Sequence, residues 1–318
     1  MTISKFDPQN PFDCFIVQSE AMKSAVENAK RFAMFDAPLL IQGETGSGKD
    51  LLAKACHYQS LRRDKKFIAV NCAGLPDEDA ESEMFGRKVG DSETTGFFEY
   101  ANKGTVLLDG IAELSLSLQA KLLRFLTDGS FRRVGEEKEH YANVRVICTS
   151  QVPLHLLVEQ GKVRADLFHR LNVLTINVPA LRDRMADIEP LAQGFLQEIS
   201  EELKIAKPTF DKDFLLYLQK YDWKGNVREL YNTLYRACSL VQDNHLTIES
   251  LNLAPPQSAV ISLDEFGNKT LDEIIGSYEA QVLKLFYAEY PSTRKLAQRL
   301  GVSHTAIANK LKQYGIGK

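Results

Sequence analysis

One short segment near the start of the chain has the residue types and spacing of a phosphate-binding loop. The segment GETGSGKD follows an apolar run and precedes a helical pattern. Glycines at this spacing let backbone N–H groups curl around phosphate oxygens, and the N-terminus of the following helix favours an anion. The sequence therefore predicts nucleotide binding by the whole loop, with a lysine that reaches the terminal phosphates: Gly43, Glu44, Thr45, Gly46, Ser47, Gly48, Lys49 and Asp50.

Two carboxylates are placed to bind the Mg²⁺ that accompanies ATP. Asp50 stands where such loops usually carry the Ser or Thr that holds the metal, and a carboxylate can hold Mg²⁺ directly or through water. Asp109 ends the strand-like run TVLLD. Taken alone, that run is equally well a plain strand and turn, but together with the phosphate loop it favours a magnesium site at Asp50 and Asp109.

The residue after Asp109 is a glycine, where an ATP-hydrolysing protein of this kind would carry a second acid. Gly110 cannot activate water, and general-base groups contribute on the order of 10²–10⁴-fold to a rate. We therefore expect ATP binding with very slow turnover, and no residue is assigned a catalytic role. Glu113 lies nearby, but its spacing alone does not bring it to the site.

The elements that position these residues follow an alternating pattern. Strand-like runs such as APLLIQG, KFIAVNC, GTVLLDG and NVRVICTSQ alternate with helical runs up to about residue 178. This alternation predicts an α/β fold with a parallel sheet and helices on both faces. Helical periodicity then predicts a small helical bundle, and a Pro/Ser/Gly-rich stretch predicts a linker. The expected segments are a tail (1–14), an α/β subdomain (15–178), a helical subdomain (179–253), a linker (254–269) and a helical domain (270–318).

Composition narrows the functional class. The chain is 44% apolar and 25% charged, as is usual for globular proteins. It has no apolar run long enough to span a membrane and no secretory signal at its N-terminus. Five cysteines without a CxxC pair fit a reducing compartment. We therefore expect a cytoplasmic protein with no membrane partner.

Charge is unevenly distributed along the chain. Residues 292–318 contain six of the 39 basic residues and none of the 42 acidic ones, which leaves 33 basic residues and a net charge of −9 elsewhere. A basic end on an acidic body favours binding to a polyanion. A solvated C-terminal helix explains the charge equally well until the residue pattern is considered.

That pattern, STRKLAQRLGVSHTAIANKLKQYGI, is typical of a helix-turn-helix, and a generic helical hairpin is the alternative. Gly301 supplies the turn, Val302 should pack between the helices, and Ile307 and Leu311 should face inward. Ser303 can cap the second helix. The residues expected to contact bases or phosphates of double-stranded DNA are Arg294, Lys295, Ser303, His304, Thr305, Ala308, Asn309, Lys310 and Lys312.

Several motifs in order resemble the AAA+ domain of bacterial enhancer-binding regulators of the sigma-54 activator type. They are GETGSGKD, FIAVNCAGLP, ESEMFG, the stretch from VRADLFHR to RDRMADI, and WKGNVREL, spread over about 15–246. The family carries an acid after the phosphate-loop lysine, so Asp50 is normal there. The last segment similarly resembles the Fis-type DNA-binding domain that ends these regulators, in which residues 270–290 help to form a dimer.

The resemblance implies roles for further residues. It places two arginines where they reach the γ-phosphate of a neighbouring subunit, one in the lid where it contacts nucleotide, two polar residues at the sensor position, and an asparagine that restrains the catalytic acid. These are, in that order, Arg164 and Arg170, Arg228, Ser150 and Gln151, and Asn71. An isolated arginine is more often a surface ion-pairing residue, whereas three arginines in matched contexts favour the functional roles.

Two departures from the family bear on function. The loop after MFGRK lacks the GAFTGA motif that grips sigma-54, and Gly110 replaces the catalytic acid. Within this family, the tyrosine-responsive, TyrR-type branch of repressors also lacks GAFTGA and acts with the housekeeping polymerase. The chain most resembles that branch, without its N-terminal sensory domains. The alternatives are an active AAA+ ATPase that remodels a protein partner, and a sigma-54-dependent activator.

The resemblance also implies ligands and partners. ATP with Mg²⁺ would bind between subunits, and tyrosine would act as effector. The implied partners are a palindromic DNA operator, a second copy in a dimer, and an ATP-promoted higher oligomer up to a hexamer. RNA polymerase is a further candidate. The implied role is control, chiefly repression, of genes for aromatic amino acid biosynthesis and transport.

Overall fold

The structure, a computed structural model, describes residues 6–75, 79–241, 243–253 and 270–316. The chain divides into two compact units, Met1–Gln257 and Ser258–Lys318. The predicted linker, 254–269, lies outside the described residues.

A five-stranded parallel sheet forms the centre of the larger unit, in the order β2-β5-β8-β1-β9. Its strands are β1 (Leu39–Gln42), β2 (Phe67–Asn71), β5 (Thr105–Asp109), β8 (Arg145–Ser150) and β9 (Leu174–Asn177). The four runs predicted as strands form β1, β2, β5 and β8, whereas β9 was not predicted. Because all five are parallel, their carboxyl ends share one edge of the sheet, where the phosphate loop and Asp109 lie.

Helices cover both faces of this sheet, as the alternating pattern predicts. They are α1 (Glu20–Ala33), α2 (Lys49–Gln59), α3 (Ala80–Phe85), α4 (Phe97–Tyr100), α5 (Leu116–Asp128), α6 (Leu154–Glu159) and α7 (Ala165–Leu171). Alternate strand residues enter different apolar cores. Leu40 and Leu108 face the core that contains α5, whereas Leu39 and Leu107 face the core that contains α1 and α2. Period-two alternation within a buried strand produces this division.

Two small antiparallel pairs lie outside the central sheet. One joins β3 (Arg87–Val89) to β4 (Ser92–Thr94), and the other joins β6 (Ser130–Arg132) to β7 (Glu139–Tyr141). The β3–β4 hairpin contains the segment after MFGR, in which the GAFTGA motif is absent. The buried guanidinium of Arg133 contacts Glu93 and Glu99 and fixes the hairpin against the domain.

The helical subdomain has its own core. It contains α8 (Ile188–Leu203), α9 (Lys212–Lys220), α10 (Asn226–Leu240) and a two-residue pairing of β10 (Thr209–Phe210) with β11 (His245–Leu246). Trp223 is fully buried in this core, and its ring N–H donates to the Leu218 carbonyl at 2.6 Å. A buried indole that finds a hydrogen-bond acceptor packs without an unsatisfied donor.

The predicted N-terminal tail is packed where it is described. Phe12 and Cys14 are buried, and Phe12 joins the core that contains α1 and α2. The ring of Phe6 lies 5.4 Å from that of Tyr58, centroid to centroid. Residues 6–14 are therefore part of the α/β subdomain.

All five cysteines are free and buried. Burial raises the thiol pKa of each: to about 12 for Cys56 and Cys72, to about 11 for Cys238, and above the ordinary value for Cys14 and Cys148. They are packing residues.

The smaller unit is a three-helix module: α11 (Leu271–Glu289), α12 (Thr293–Leu300) and α13 (His304–Gln313). Its core joins Leu283 to Leu296 and Ala297 of α12 and to the predicted inward residues Ile307 and Leu311.

The turn between α12 and α13 matches the sequence prediction in two of three features. Gly301 adopts a left-handed conformation with φ +67°, and the Ser303 hydroxyl accepts from the Ala306 N–H at 3.2 Å as a helix cap. The prediction for Val302 is wrong, because its side chain is 47% exposed. The buried leucines and Ile307 close the gap between the helices without it.

Gly301 and Gly276 form a matched pair for a stability test. A Cβ at Gly301 meets open space, so Gly301→Ala adds only left-handed strain, about 1–2 kcal/mol. Gly276 lies inside α11, where a Cβ meets the Tyr314 ring at ordinary contact distance, so Gly276→Ala should stabilise the module by about 0.5–1 kcal/mol. Amide hydrogen exchange of residues 271–316 in the full chain measures both. Equal effects of the two substitutions would contradict the assigned turn.

Candidate functional site

The phosphate loop connects β1 to α2 at the carboxyl edge of the sheet. The Gly43 N–H donates to the Ser150 carbonyl at 3.1 Å, which anchors the loop on β8. Gly48 has φ +105°, and a Cβ placed on it meets no atom within 4 Å. The buried hydroxyl of Ser47 has no hydrogen-bond partner among the described residues. An open cradle beside an unsatisfied hydroxyl fits a bound phosphate group.

A cavity of about 660 Å³ adjoins this loop. Its polar lining brings together most residues that the sequence assigned to nucleotide: Thr45, Gly46, Gly48, Lys49, Asp50, Asp109, Gln151 and Arg228. Phe6 from the N-terminal segment and Phe67 and Leu107 from the sheet add apolar surface. Sequence analysis did not predict Phe6 at this site, because its position depends on packing against Tyr58 and Lys54 of α2.

The cavity is lined by both cationic side chains, Lys49 and Arg228, and anionic side chains, Asp50 and Asp109. The ammonium of Lys49 donates to the Glu44 carbonyl at 2.9 Å. Burial lowers the pKa of Lys49, which Asp50 and Asp109 counteract. Burial raises the pKa of Asp50, and the nearby Asp109 carboxylate raises it further. Two like charges held this close favour a bound cation between them.

The residues present fit a Mg²⁺ ion that arrives with a nucleotide. Nowhere in the described parts of the chain do three or more His, Cys, Asp or Glu side chains gather into a ready metal site. Mg²⁺ is commonly held by one or two carboxylates, with phosphate oxygens and water completing its shell. Asp50 and Asp109 supply those two carboxylates.

The turn after β5 is fixed by Thr149. Its hydroxyl donates to the Asp109 carboxylate and accepts from the Gly110 N–H at 3.0 Å. Gly110 has φ +77°, and a Cβ placed on it comes 3.5 Å from the Cγ of Glu113. The exposed Glu113 side chain therefore lies next to the volume that an acid at position 110 would use.

Two of the three residues at the asparagine and sensor positions are hydrogen-bonded to nearby backbone. The side chain of Asn71 accepts from the Ala73 N–H at 3.1 Å and caps its own loop. The Ser150 hydroxyl donates to the Val152 carbonyl at 2.5 Å, while Gln151 lines the cavity. Of these three residues, only Gln151 is directed at the nucleotide cavity.

The two candidate trans arginines lie away from the cavity of their own chain. Arg164 pairs with Asp166, its Nε at 3.0 Å and a terminal nitrogen at 2.8 Å from the carboxylate. Arg170 donates to the Leu126 carbonyl at the end of α5. Both are exposed and absent from the lining of the cavity.

Three residues of the helical subdomain that the sequence did not single out contact the phosphate loop. Arg182 forms an ion pair with Glu44, Arg184 donates to the Ser47 carbonyl, and Asn226 donates to the Thr45 carbonyl. The runs LRDR and GNVREL contain them, but sequence spacing does not show that they meet the loop.

The second candidate site is the C-terminal module. Most of its predicted DNA-contacting residues are exposed on α12 and on or just before α13: Arg294, Lys295, Ser303, His304, Thr305, Asn309 and Lys312. Ala308 is half-buried. The His304 ring shares a 3.0 Å hydrogen bond with the Thr293 hydroxyl, which links the starts of the two helices.

Lys310 differs from its expected role. Its ammonium pairs with Glu279 of α11, and the same carboxylate accepts from the Tyr314 hydroxyl at 2.8 Å. Lys310 and Tyr314 lower the pKa of Glu279. In this structure Lys310 braces α13 on α11, so its charge is already partly neutralised.

Comparison with known proteins gives the class of the chain. Residues 15–177 match the sigma-54 interaction domain, residues 182–260 the AAA+ ATPase lid domain, and residues 268–317 a helix-turn-helix domain. NtrX from Brucella abortus in complex with ATP superposes with a TM-score of 0.70 at 31% identity, over 95% of this chain and 69% of that one. The chain is a DNA-binding transcriptional regulator with an AAA+ nucleotide-binding domain.

Individual relatives narrow the class. A protein of Haemophilus influenzae described as HTH-type transcriptional regulatory protein TyrR is 98% identical over 318 residues, all of both chains. One of the same description in Enterobacter agglomerans is 50% identical over 98% of this chain, and the match spans 60% of that relative. The chain belongs to the TyrR family of transcriptional regulatory proteins. Among the helices of the described residues, none has the length and apolar character needed to cross a membrane.

The Lys310–Glu279 pair generates a prediction about DNA binding. Arg294→Ala should weaken binding to all sequences and reduce the slope of log affinity against log salt by about one, because a free cation at a phosphate is lost. Lys310→Ala should reduce that slope by less. Glu279→Gln should steepen it, since Lys310 is released. Titration of labelled DNA at several salt concentrations measures all three. Equal slopes for the Arg294 and Lys310 variants would show that the pair opens on DNA.

Proposed function

We propose that the protein is an ATP-binding regulator that mainly represses transcription. Its activity would depend on ATP binding and not on ATP hydrolysis. One observation carries the proposal: the phosphate-binding half of the nucleotide site is complete, while the residue after Asp109 is a left-handed glycine without a side chain. Binding requires the first feature, and rapid hydrolysis requires a group that positions or activates water. The same chain carries the helix-turn-helix that delivers the regulator to double-stranded DNA.

ATP would act at a boundary between subunits, with Mg²⁺ on Asp50 and Asp109. Arg228 lines the cavity from the lid of the same chain, whereas Arg164 and Arg170 are exposed elsewhere on the surface. That separation is what trans-acting arginines require. Their present partners, a single carboxylate and a single carbonyl, are weak exposed contacts that a phosphate can replace. ATP would thereby promote oligomers larger than the dimer, up to a hexamer.

The hairpin at residues 87–94 argues for action with the housekeeping RNA polymerase rather than sigma-54. It is short and lacks GAFTGA, and Arg133 holds it against the domain. A loop that must grip another protein needs freedom to move and residues to insert. This hairpin offers neither.

The effector and the target genes are proposed from family membership. Tyrosine as effector, and genes of aromatic amino acid biosynthesis and transport as targets, are what the resemblance to the tyrosine-responsive TyrR-type branch implies, and the chain matches relatives described as HTH-type transcriptional regulatory protein TyrR. The operator would be palindromic because two modules related by symmetry read two half-sites. The protein would act in the cytoplasm, where its cysteines stay reduced.

An active ATPase, with Glu113 in place of the missing acid, is the second candidate, and one distance favours it. The Glu113 Cγ lies 3.5 Å from the Cβ position of residue 110, so its carboxylate can occupy part of the volume of the missing acid. This candidate differs from the first only in turnover, since binding is common to both.

A turnover assay separates the two candidates. We expect the wild-type chain to bind ATP and hydrolyse it at least 10²-fold more slowly than active AAA+ motors, and Gly110→Glu to raise the rate by restoring a carboxylate. Gly110→Ala is the matched control, because it adds the same left-handed strain without an acid. Brisk wild-type hydrolysis that Glu113→Gln removes would favour the second candidate.

Genome-wide footprinting tests the regulatory role. With tyrosine and ATP, the wild-type chain should occupy promoters of aromatic amino acid genes. The Lys49→Ala variant, which loses the cation at the terminal phosphates, should lose the nucleotide-dependent part of that occupancy. Promoter occupancy that is the same with and without tyrosine and ATP would contradict the proposal.

A further inference from the structure

Four successive carbonyl groups of the phosphate loop are held from outside the loop or by its own lysine. The carbonyl of Glu44 accepts from the Lys49 ammonium at 2.9 Å. The next three carbonyls all accept from the helical subdomain: Thr45 from the Asn226 amide at 3.0 Å, Gly46 from the Arg228 N–H at 3.4 Å, and Ser47 from the Arg184 guanidinium at 2.9 Å. The lid therefore holds three consecutive peptide units of the loop.

This pattern has a direct effect on the side of the loop that faces the cavity. A peptide unit is planar and trans, so its C=O and its N–H point in opposite directions. When the carbonyls of Thr45 and Ser47 are fixed toward the lid, the N–H groups of Gly46 and Gly48 are turned the other way. Backbone N–H groups aimed into one space are what binds a phosphate anion.

Asn226 is the most constrained of the lid contacts. It is fully buried, and its φ of +53° is a left-handed value that asparagine tolerates better than most residues. Its side-chain oxygen accepts from the Leu181 N–H at 2.7 Å, and its amide nitrogen also lies 3.2 Å from the Glu44 carboxylate. One side chain thus joins the segment before α8, the start of α10 and the phosphate loop.

Two further contacts hold the loop and the lid together. Arg182 donates to both carboxylate oxygens of Glu44, at 2.8 and 2.5 Å, and this pairing lowers the pKa of Glu44 to about 2. A Cβ on Gly46 would lie 2.2 Å from the Gly225 carbonyl oxygen, so the two backbones touch. The contact leaves no room for the loop to shift unless the lid shifts with it.

We propose that Asn226 is a positioning residue: through its amide it holds the phosphate loop in the shape that binds phosphate, so that lid position and phosphate affinity are coupled. The proposal rests on the nucleotide binding proposed above and goes further by assigning the shape of the loop to the lid. Asn226 does not line the cavity, so it acts through the backbone of Thr45 and the carboxylate of Glu44.

Two variants of the full chain test this role. Asn226→Asp keeps the size, the acceptor for Leu181 and the tolerance of a left-handed backbone, but replaces the amide donor with a carboxylate beside Glu44. Asn226→Gly keeps the backbone conformation and removes the side chain. Asn244 is a matched control in the same subdomain, since it also has a left-handed φ, +52°, and its amide donates to the Lys207 carbonyl, away from the loop.

Calorimetric titration with ATP and with inorganic tripolyphosphate gives the main readout. We expect both Asn226 variants to bind each ligand at least tenfold more weakly, the effect of losing a buried hydrogen bond at the loop. Asn244→Asp should bind within twofold of wild type. Circular dichroism and thermal unfolding identify any variant that has lost its fold, and the isosteric Asn226→Asp then carries the test.

A second arm separates positioning from a general packing role. Adding Glu44→Gln to Asn226→Asp reverses the polarity of that contact, because the new amide can donate to the new carboxylate. Glu44→Gln alone also loses the ion pair with Arg182. Measured against both single variants, the double variant should therefore bind tripolyphosphate at least threefold more tightly than independent effects would give, a coupling that a packing defect would not produce. Folded Asn226 variants that bind both ligands like wild type would overturn the inference alone. A wild-type chain that binds neither ligand would overturn the proposed function as well.

Discussion

The nucleotide site depends on one interface, the packing of the phosphate loop against the helical subdomain. Carbonyls of the loop are held from the lid, so the parallel sheet supplies the position of the loop and the lid supplies its shape. The buried carboxylate of Asp187 connects the helical subdomain to the N-terminal part of the chain as well. Asp187 accepts from the backbone N–H groups of Gln18 and Ser19 and from the Ser19 hydroxyl, which ties the start of α1 to the start of α8. Leaving such groups unpaired would cost about 1–3 kcal/mol each, so the two subdomains are expected to fold as one body.

Because of this interface, phosphate binding and ATP hydrolysis would depend on different parts of the site. The groups proposed to bind phosphate come from the loop and the lid, whereas a group that activates water would have to come from the turn after β5. The Thr149 hydroxyl holds that turn by accepting from the Gly110 N–H. Gly110 has a left-handed backbone conformation that residues with a side chain rarely adopt. Loss of the acid therefore leaves the binding contacts untouched. A site of this design can sense nucleotide and pass the information to the lid without a hydrolytic cycle.

Local patterns made the central fold predictable, because strand, loop and helix at 39–59 are each encoded by neighbouring residues. Interactions across long sequence separations were not. Arg182 and Asn226 meet the loop through contacts about 140 and 180 residues apart, and no periodicity reports them. The β3–β4 hairpin has strands of three residues, too short for an alternating pattern. Lys310 was predicted to contact DNA because of its charge, whereas its ion pair with Glu279 determines where its side chain lies. Val302 was assigned to the core by its apolar character alone.

The burial of all five thiols has a practical and a physiological consequence. With pKa values near 11 to 12, a thiol such as Cys56 or Cys238 carries about 10⁻⁴ thiolate or less at neutral pH, and its sulfur lies out of solvent. Peroxide and alkylating reagents react with cysteine as the thiolate, so the five buried thiols are protected from both in the folded chain. The five cysteines are therefore not expected to act as oxidant sensors in the folded chain. A single cysteine introduced on the exposed face of α13 would be the one site that a maleimide dye labels.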